Sequence, residues 1–192
     1  MWLDEDFKAV FTNFHIKKAH EPIDESDKIV KTIIAVDPAV TASKDSDATG
    51  IIVASKTDSG NFIIEEEATG VYQPSEWAAK VAALKDKYDA AYIVYEANQG
   101  GLLVEETIRN ACGPRCICKS VTATKGKVLR AEPIVALYEE GKVKHRRWIQ
   151  QLEKEMVTFT GSPKDKSPNS LDAAVWALTD LSKNKEFRLQ WG

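Results

Sequence analysis

The fold is set by KTIIAVD, residues 31–37, an apolar β-branched run of strand length that ends in an acid. A second such run, GIIVAS at 50–55, follows it. A third, NFIIEEEATGVY at 61–72, comes after an Asp-Ser-Gly turn. Runs of this kind separated by short turns are typical of an antiparallel meander. We therefore expect three consecutive antiparallel strands.

The pattern then changes to alternating strands and helices. A helix is expected to open at Pro74, because Trp77, Val81 and Leu84 form one apolar stripe. The later expected elements are strands in 90–96 and 115–121 and helices in 100–111, 148–159 and 170–181. Strands alternating with helices after a meander predict an α/β fold, with a mixed sheet of antiparallel and parallel strands flanked by helices.

The length and composition are those of one globular domain. The chain has 192 residues, of which 43% are hydrophobic and 29% charged, which excludes wholesale disorder. We expect a short N-terminal helix, indicated by the helical spacing of Phe7, Val10, Phe11 and Phe14, and a linker in 1–28. A single globular domain should follow in 29–183 and a tail in 184–192. No apolar run has the length of a membrane span, and the N-terminus lacks the features of a signal peptide, so an intracellular protein is expected.

Three carboxylates occupy positions suited to chemistry. Asp37 ends the first strand, Glu96 ends the strand 90–96, and Asp172 lies in the first turns of the last helix. If these acids converge, their repulsion favours a hard divalent cation such as Mg²⁺ or Mn²⁺, and two such ions can drive phosphodiester cleavage. A solvated strand end or a helix cap is the alternative for each acid taken alone.

Two further residues could assist such a site. Asp47 lies in the polar connection between the first two strands, which could bring it back to the acids or form a plain hairpin loop. Asn98, just before Gly100 and Gly101, could bind a phosphate or a metal-bound water.

Charge is unevenly distributed. The net charge of −3 argues against a nucleic-acid binder, but residues 119–147 hold eight basic and three acidic residues, a local +5 that leaves −8 elsewhere. Such polarity suits phosphate binding beside an acidic metal site. Lys144 and His145 belong to this segment. His145 could bind phosphate or move a proton, although an exposed histidine without a role is the alternative.

Four motifs that contain the candidate acids occur in a fixed order along the chain. They are AVDPA with Asp37, DATG with Asp47, YEANQGG with Glu96 and SPNSLDAAVWAL with Asp172. With TKGKVLRAEPIVALYEEGKVKH and LEKEMVTF between the last two, they resemble the C-terminal nuclease domain of tailed-phage terminase large subunits over residues 33–181. This resemblance implies a ribonuclease H-like fold and a DNA endonuclease of viral DNA packaging that cuts concatemeric duplex DNA in the host bacterial cytoplasm.

The resemblance also implies residue roles. Asp37, Glu96 and Asp172 match the family's catalytic, metal-binding acids, and Asp47 matches an auxiliary metal ligand. The resemblance implies two Mg²⁺ or Mn²⁺ ions. In our own hypothesis of the mechanism, Asp37 and Asp172 hold one ion, and Asp37 and Glu96 share the other. Lys125, Lys127 and Arg130 resemble a DNA-facing segment, and the loop GSPKDKSPN at 161–169 is expected to flank the site.

Family members carry an N-terminal ATPase with a phosphate loop, and this sequence has no such motif. The resemblance implies double-stranded DNA, a terminase small subunit, a portal protein and that ATPase domain as partners, with no membrane. Two alternatives stay open. One is a Holliday-junction resolvase or ribonuclease H-type nuclease, and the other is a non-catalytic domain that docks DNA or a partner.

Overall fold

The computed structural model of the protein describes residues 8–39, 48–97 and 100–183. The strands are β1 (Ile29–Asp37), β2 (Gly50–Thr57), β3 (Phe62–Glu67), β4 (Tyr92–Glu96), β5 (Cys118–Val121) and β6 (Val143–His145). The helices are α1 (Asn13–Ala19), α2 (Pro74–Tyr88), α3 (Gly101–Cys112), α4 (Lys127–Glu139), α5 (Gln150–Thr158) and α6 (Asn169–Ser182). None of these helices is long and apolar enough to cross a membrane.

The six strands form one mixed sheet in the order β5-β4-β1-β2-β3-β6. β1, β2 and β3 make the expected antiparallel meander. β4 pairs parallel with β1, β5 with β4, and β6 with β3. The predicted fold class is confirmed. Because only β2 runs the opposite way, the carboxyl ends of the other five strands lie along one edge of the sheet.

Helices cover both faces of the sheet. Side chains alternate along β1, so Ile33 and Ala35 join an apolar cluster with α4, α5 and α6, whereas Ile34 and Val36 join a second cluster with α2 and α3. The protein is therefore a three-layer α/β/α domain. The same alternation places Asp37, two residues after Ala35, on the face that α6 covers.

Helix α6 is the most buried helix of the described chain. Twelve of its fourteen residues are buried, including the small residues Ala173, Ala174 and Ala177. Small side chains let a helix lie close to a sheet, and α6 packs across β1 and β2. This packing fixes the first turn of α6 beside the carboxyl end of β1.

The N-terminal segment packs on the domain, with α1 against α4 and β6. The spacing of Phe7, Val10, Phe11 and Phe14 placed the start of this helix too early, because the helix begins at Asn13. Phe11 precedes the helix and is fully buried, edge-on to Tyr138 with ring centroids 5.6 Å apart. Phe14 on the helix is 55% exposed, and Phe7 lies outside the described residues.

Candidate functional site

Asp37 and Glu96 end two neighbouring parallel strands. The register of β1 and β4 pairs Val36 with Tyr95, so Asp37 and Glu96 follow at the same level. Val94 and Ala35 both belong to the core on the α6 side of the sheet. Glu96 lies two residues after Val94, and Asp37 lies two residues after Ala35. Both carboxylates therefore point to the same face at the same edge.

Asp172 reaches this edge from helix α6, which covers the face to which Asp37 and Glu96 point. It lies in the first turn of α6 and is 5% exposed, and its backbone N–H donates to the carbonyl of Pro168 at 2.8 Å. An acid in the first turn is favoured by the partial positive charge of the helix N-terminus. The side chain of Asp172 is therefore turned away from solvent.

The carboxylates of Glu96 and Asp172 lie close enough to Asp37 to affect its ionisation. Burial raises the pKa of Asp37 to about 8, and the nearby carboxylates of Asp172 and Glu96 add to the increase. Asp37 and Glu96 also share a side-chain hydrogen bond. The structure thus brings together the three acids that the sequence singled out, and their like charges oppose one another.

Two basic residues from α4 face Asp172. The Lys127 ammonium forms an ion pair with Asp172 Oδ2 and donates to Ser167 Oγ at 3.0 Å. The Arg130 guanidinium lies 3.7 Å from Asp172 Oδ1. Burial still raises the pKa of Asp172, although both cations oppose that effect. Lys127 and Arg130, expected to face DNA, thus adjoin the acid cluster.

Trp176 connects these charges one helical turn after Asp172. Its indole Nε1–H donates to Glu96 Oε2 at 3.1 Å. The Arg130 guanidinium lies over its ring, 4.6 Å from the centroid. Trp176 therefore holds an acid at its edge and a cation on its face, which restricts the positions of both.

The acid cluster extends to Glu67 and Glu155, which the sequence interpretation missed. Glu67 ends β3, as Asp37 ends β1, so its place after an apolar run was a usable signal. Burial raises its pKa to about 7, and the charge of Glu155 adds to this. Glu155 accepts the backbone N–H of Leu171 at 2.8 Å, at the start of α6. No local pattern distinguishes that contact from a solvated helix face.

The residues present fit a hard divalent cation. The facing donors are carboxylate oxygens, which Mg²⁺ and Mn²⁺ prefer. The raised pKa of Asp37 shows that its negative charge lacks full compensation within the described chain. A bound cation would supply that compensation.

A cavity of 870 Å³ lies beside the start of α6, with Glu155 and Asn169 in its wall. Lys154, Lys164 and Lys166 also line it, and the last two belong to the loop 161–169. This loop, expected to flank the site, therefore contributes two lysines and Asp165 to a cavity that Glu155 also lines. The sequence indicated the loop and not the role of its individual lysines.

The remaining predicted residues are placed differently. Asp47 and Asn98 lie outside the described residues. Lys125 is exposed just before α4. Lys144 lies on β6, three strands from β1, where it donates to the Lys18 carbonyl and to Glu21 Oε2, each at 3.0 Å.

The expectation of an exposed His145 is wrong. The residue is 4% exposed, and both of its ring nitrogens are engaged, one by Tyr138 and one by Glu153, each at 2.8 Å. The strand β6 is covered by α4 and by the N-terminal segment, so the His145 ring has no surface to offer a phosphate. We leave it out of the proposed DNA-binding set.

Comparison with known protein families identifies one family model that covers the residues of this site. The family model of the terminase RNaseH-like domain matches residues 34–181. A search of curated proteins finds none whose sequence matches the chain.

Solved structures of phage terminases share the fold. The nuclease domain of the large terminase subunit of bacterial virus Sf6 superposes with a TM-score of 0.61 at 14% identity, covering 88% of this chain and 98% of its own. The large terminase nuclease of thermophilic phage G20c gives 0.57 at 14% identity, covering 90% and 97%. The large terminase of thermophilic bacteriophage D6E gives 0.66 at 10% identity, covering 90% and 45%.

The chain thus has about the length of a terminase nuclease domain and spans less than half of the D6E terminase. Other Sf6 structures contain manganese or calcium, and the G20c structure contains magnesium. At these identities the likeness to solved structures shows the fold.

Proposed function

The chain belongs to the terminase RNaseH-like domain family, and on that premise we propose that it is a metal-dependent DNA endonuclease of viral DNA packaging. The observation that carries the proposal is the meeting of Asp37, Glu96 and Asp172 where β1, β4 and α6 converge. The proposed substrate is concatemeric duplex DNA in the cytoplasm of the host bacterium.

The three acids are proposed to hold two Mg²⁺ or Mn²⁺ ions. Bound divalent cations would supply an activated water and neutralise the departing 3′ oxygen. Without a cation, Asp37 retains a proton near neutral pH and hydrogen-bonds Glu96, so ion binding must displace that proton. The indole N–H of Trp176 donates a hydrogen bond to Glu96 and so holds its side chain in one orientation. Less conformational freedom of Glu96 is then lost when an ion binds.

Lys127 and Arg130 are proposed to act at the boundary between acids and DNA. Their contacts to Asp172 oppose the effect of burial on its pKa and hold the carboxylate in place. Their positive charge is also close to where a phosphate would meet the acids. Lys125 is exposed before α4, and it extends this charge along the proposed DNA path. The three lysines of the 870 Å³ cavity extend it further.

Asp47 and Asn98 stay proposals for an auxiliary metal ligand and a phosphate contact. The terminase small subunit, the portal protein and an ATPase domain are proposed partners, because they belong to the whole packaging machine.

The decisive experiment is cleavage of supercoiled plasmid with Mn²⁺, with Mg²⁺ and with EDTA. Asp172→Asn has a matched control in Asp180→Asn, another buried aspartate of the same helix, which pairs with Lys119 and Tyr92 instead. We expect metal-dependent cleavage that Asp172→Asn abolishes and Asp180→Asn preserves. Equal cleavage by Asp172→Asn and wild type would refute the assignment, provided that circular dichroism shows both variants folded.

Substrate comparison separates the alternatives. Linear duplex, a four-way junction and an RNA–DNA hybrid are incubated in parallel with Mn²⁺, and preferential cutting of duplex is expected. Preference for the junction or the hybrid would indicate a resolvase or ribonuclease H-type activity. DNA binding without cleavage of any substrate, unchanged by EDTA, would indicate a docking domain.

A further inference from the structure

Two of the chain's three histidines meet one glutamate far from the acid cluster. His20 Nε2 and His145 Nδ1 each lie 2.8 Å from Glu153 Oε1. These three atoms lie within 4.8 Å of one another. His20 follows α1, His145 ends β6 and Glu153 belongs to α5, so three separate segments supply the group.

The group is shielded and yet reachable. The side chains of His145, Glu153 and His20 are 0%, 10% and 19% exposed. The His20 ring stacks on Trp148, with centroids 3.9 Å apart. His20 is the most exposed of the three side chains, and it lines a cavity together with Trp148.

We propose that His20 Nε2, His145 Nδ1 and Glu153 Oε1 form a binding site for one divalent transition-metal ion, with Zn²⁺ as the best-suited ion and water as its fourth ligand. Two imidazoles and one carboxylate favour Zn²⁺ over Mg²⁺, which prefers an all-oxygen shell. Tetrahedral Zn²⁺ with bonds of about 2.0–2.1 Å requires ligand atoms about 3.3 Å apart. His20 Nε2 and His145 Nδ1, each 2.8 Å from Glu153 Oε1, must move about 0.5 Å away from it to admit the ion.

The protonation states suit metal binding. Burial lowers the pKa of His145, which keeps its imidazole neutral at neutral pH. Burial acts against ionisation of Glu153, but hydrogen bonds from His145, the Ile149 amide and His20 outweigh it and lower the pKa of Glu153. Neutral imidazole and ionised carboxylate are the forms that bind metals, and the direction of both shifts favours them.

Tyr138 supplies the partner that a metal-bound histidine needs. Its hydroxyl lies 2.8 Å from His145 Nε2. Without metal, Nδ1–H donates to Glu153 and Nε2 accepts from Tyr138. With metal on Nδ1, the imidazole proton resides on Nε2 and is donated to the Tyr138 oxygen, because a hydroxyl can serve in either role. A change of the His145 tautomer, which moves its proton from Nδ1 to Nε2, therefore lets the ion bind while the imidazole keeps its proton.

An ion at this site would fasten the N-terminal segment to the sheet. His20 is distant in sequence from His145 and Glu153, and nearby Lys144 already contacts Lys18 and Glu21 of the same segment. The site lies at the β6 edge, whereas the acids lie at the ends of β1 and β4. It thus differs from the proposed catalytic site in both place and donor type.

The test is calorimetric titration of Zn²⁺ into untagged, EDTA-stripped protein carrying Asp37→Asn and saturated with Mg²⁺, so that the acid cluster does not report. We expect one Zn²⁺ per chain and a rise in melting temperature. His20→Gln should weaken binding on the order of 100-fold, and Tyr138→Phe by about 10-fold. His15→Gln is the matched control, because His15 lies on α1 outside the cluster, and binding should be unchanged.

Absence of Zn²⁺ binding to the parent protein would overturn the proposal, as would binding that His20→Gln leaves unaltered. Co²⁺ provides a second measurement that needs no variant, since a tetrahedral site gives visible d–d absorption and an octahedral aquo ion scarcely absorbs. Failure here leaves the proposed nuclease untouched, because plasmid cleavage by the wild-type acids is measured separately.

Discussion

Gly50 faces the backbone carbonyl of Asn169 so closely that no side chain fits between them. A Cβ at Gly50 would lie 2.0 Å from the Asn169 oxygen and 3.2 Å from the Ala173 Cβ. Gly50 opens β2 opposite Asp37, and Asn169 opens α6 three residues before Asp172. This contact therefore sets the distance between two of the proposed metal-binding acids.

Gly50→Ala is expected to push the first turn of α6 away from β1. Overpacking of this kind costs about 1–3 kcal/mol of unfolding free energy, and a displacement near 1 Å at a catalytic group lowers activity about 100-fold. Urea unfolding and plasmid cleavage measure the two effects. Gly126→Ala is the control, because a Cβ there meets nothing within 4 Å. Equal cleavage by Gly50→Ala and wild type would show that α6 adapts.

Lys127→Met removes the cation that pairs with buried Asp172. Lys127 is 39% exposed and Arg130 remains, so we expect a loss of about 1–2 kcal/mol, less than the ~3–5 kcal/mol of fully buried pairs. Mg²⁺ should then raise the melting temperature more in the variant than in wild type, because the ion no longer competes with the lysine for Asp172.

Thermal melts with and without Mg²⁺ check this expectation. Lys142→Met, which breaks an exposed pair with Glu140, is the control. It should change neither the melting temperature nor the increase that Mg²⁺ causes. If Mg²⁺ stabilises Lys127→Met no more than wild type, the lysine and the ion do not share Asp172.

Trp176→Phe removes the indole N–H that holds Glu96. A hydrogen bond to a charged group contributes about 1.5–3 kcal/mol, so kcat for plasmid cleavage should fall about 10-fold or more. The KM for DNA should change little, since the indole contacts Glu96 and Arg130. Trp77→Phe is the control, because Trp77 is buried in the α2 and α3 layer. It should lower stability without lowering kcat.

The sheet and most helices could be predicted because their signals are local. β1 and β2 are continuous apolar runs, and the stripe of α2 repeats at helical spacing. Asp37 and Glu96 were recognisable for the same reason, since each follows a buried strand. Their convergence with Asp172 could not be predicted in the same way, because it depends on the strand order that places β4 beside β1.

The misses involve contacts between distant segments. Phe11 looks like part of a helical stripe, but it leaves the helix to fill a space beside Tyr138. His145 looks like an exposed residue of a basic strand, and its burial depends on Glu153 and Tyr138 meeting it in three dimensions. Glu155 looks solvated on its helix and is recruited by the Leu171 amide. No local pattern encodes such pairings.

The last prediction concerns Glu67, whose pKa is raised to about 7 from an ordinary 4.5, chiefly by burial. Between these two values the folded protein retains a proton that the unfolded chain has lost. The free energy of unfolding contributed by Glu67 is therefore fully present below pH 4.5 and is lost as pH rises to about 7, by up to about 3 kcal/mol. Glu67→Gln keeps a hydrogen-bonding group for Ser170 and cannot ionise, so its stability should be flatter across this range.

Urea unfolding at a series of pH values, in EDTA, measures the difference between wild type and Glu67→Gln. Asp37, with its pKa raised to about 8, contributes a slope of the same sign in both proteins, so the subtraction isolates Glu67. The variant should gain relative stability as pH rises through the window and keep that gain above pH 7. Parallel curves would mean that Glu67 ionises in the folded protein as readily as in the unfolded chain, and that its carboxylate is compensated by the Ser170 hydroxyl and the neighbouring backbone.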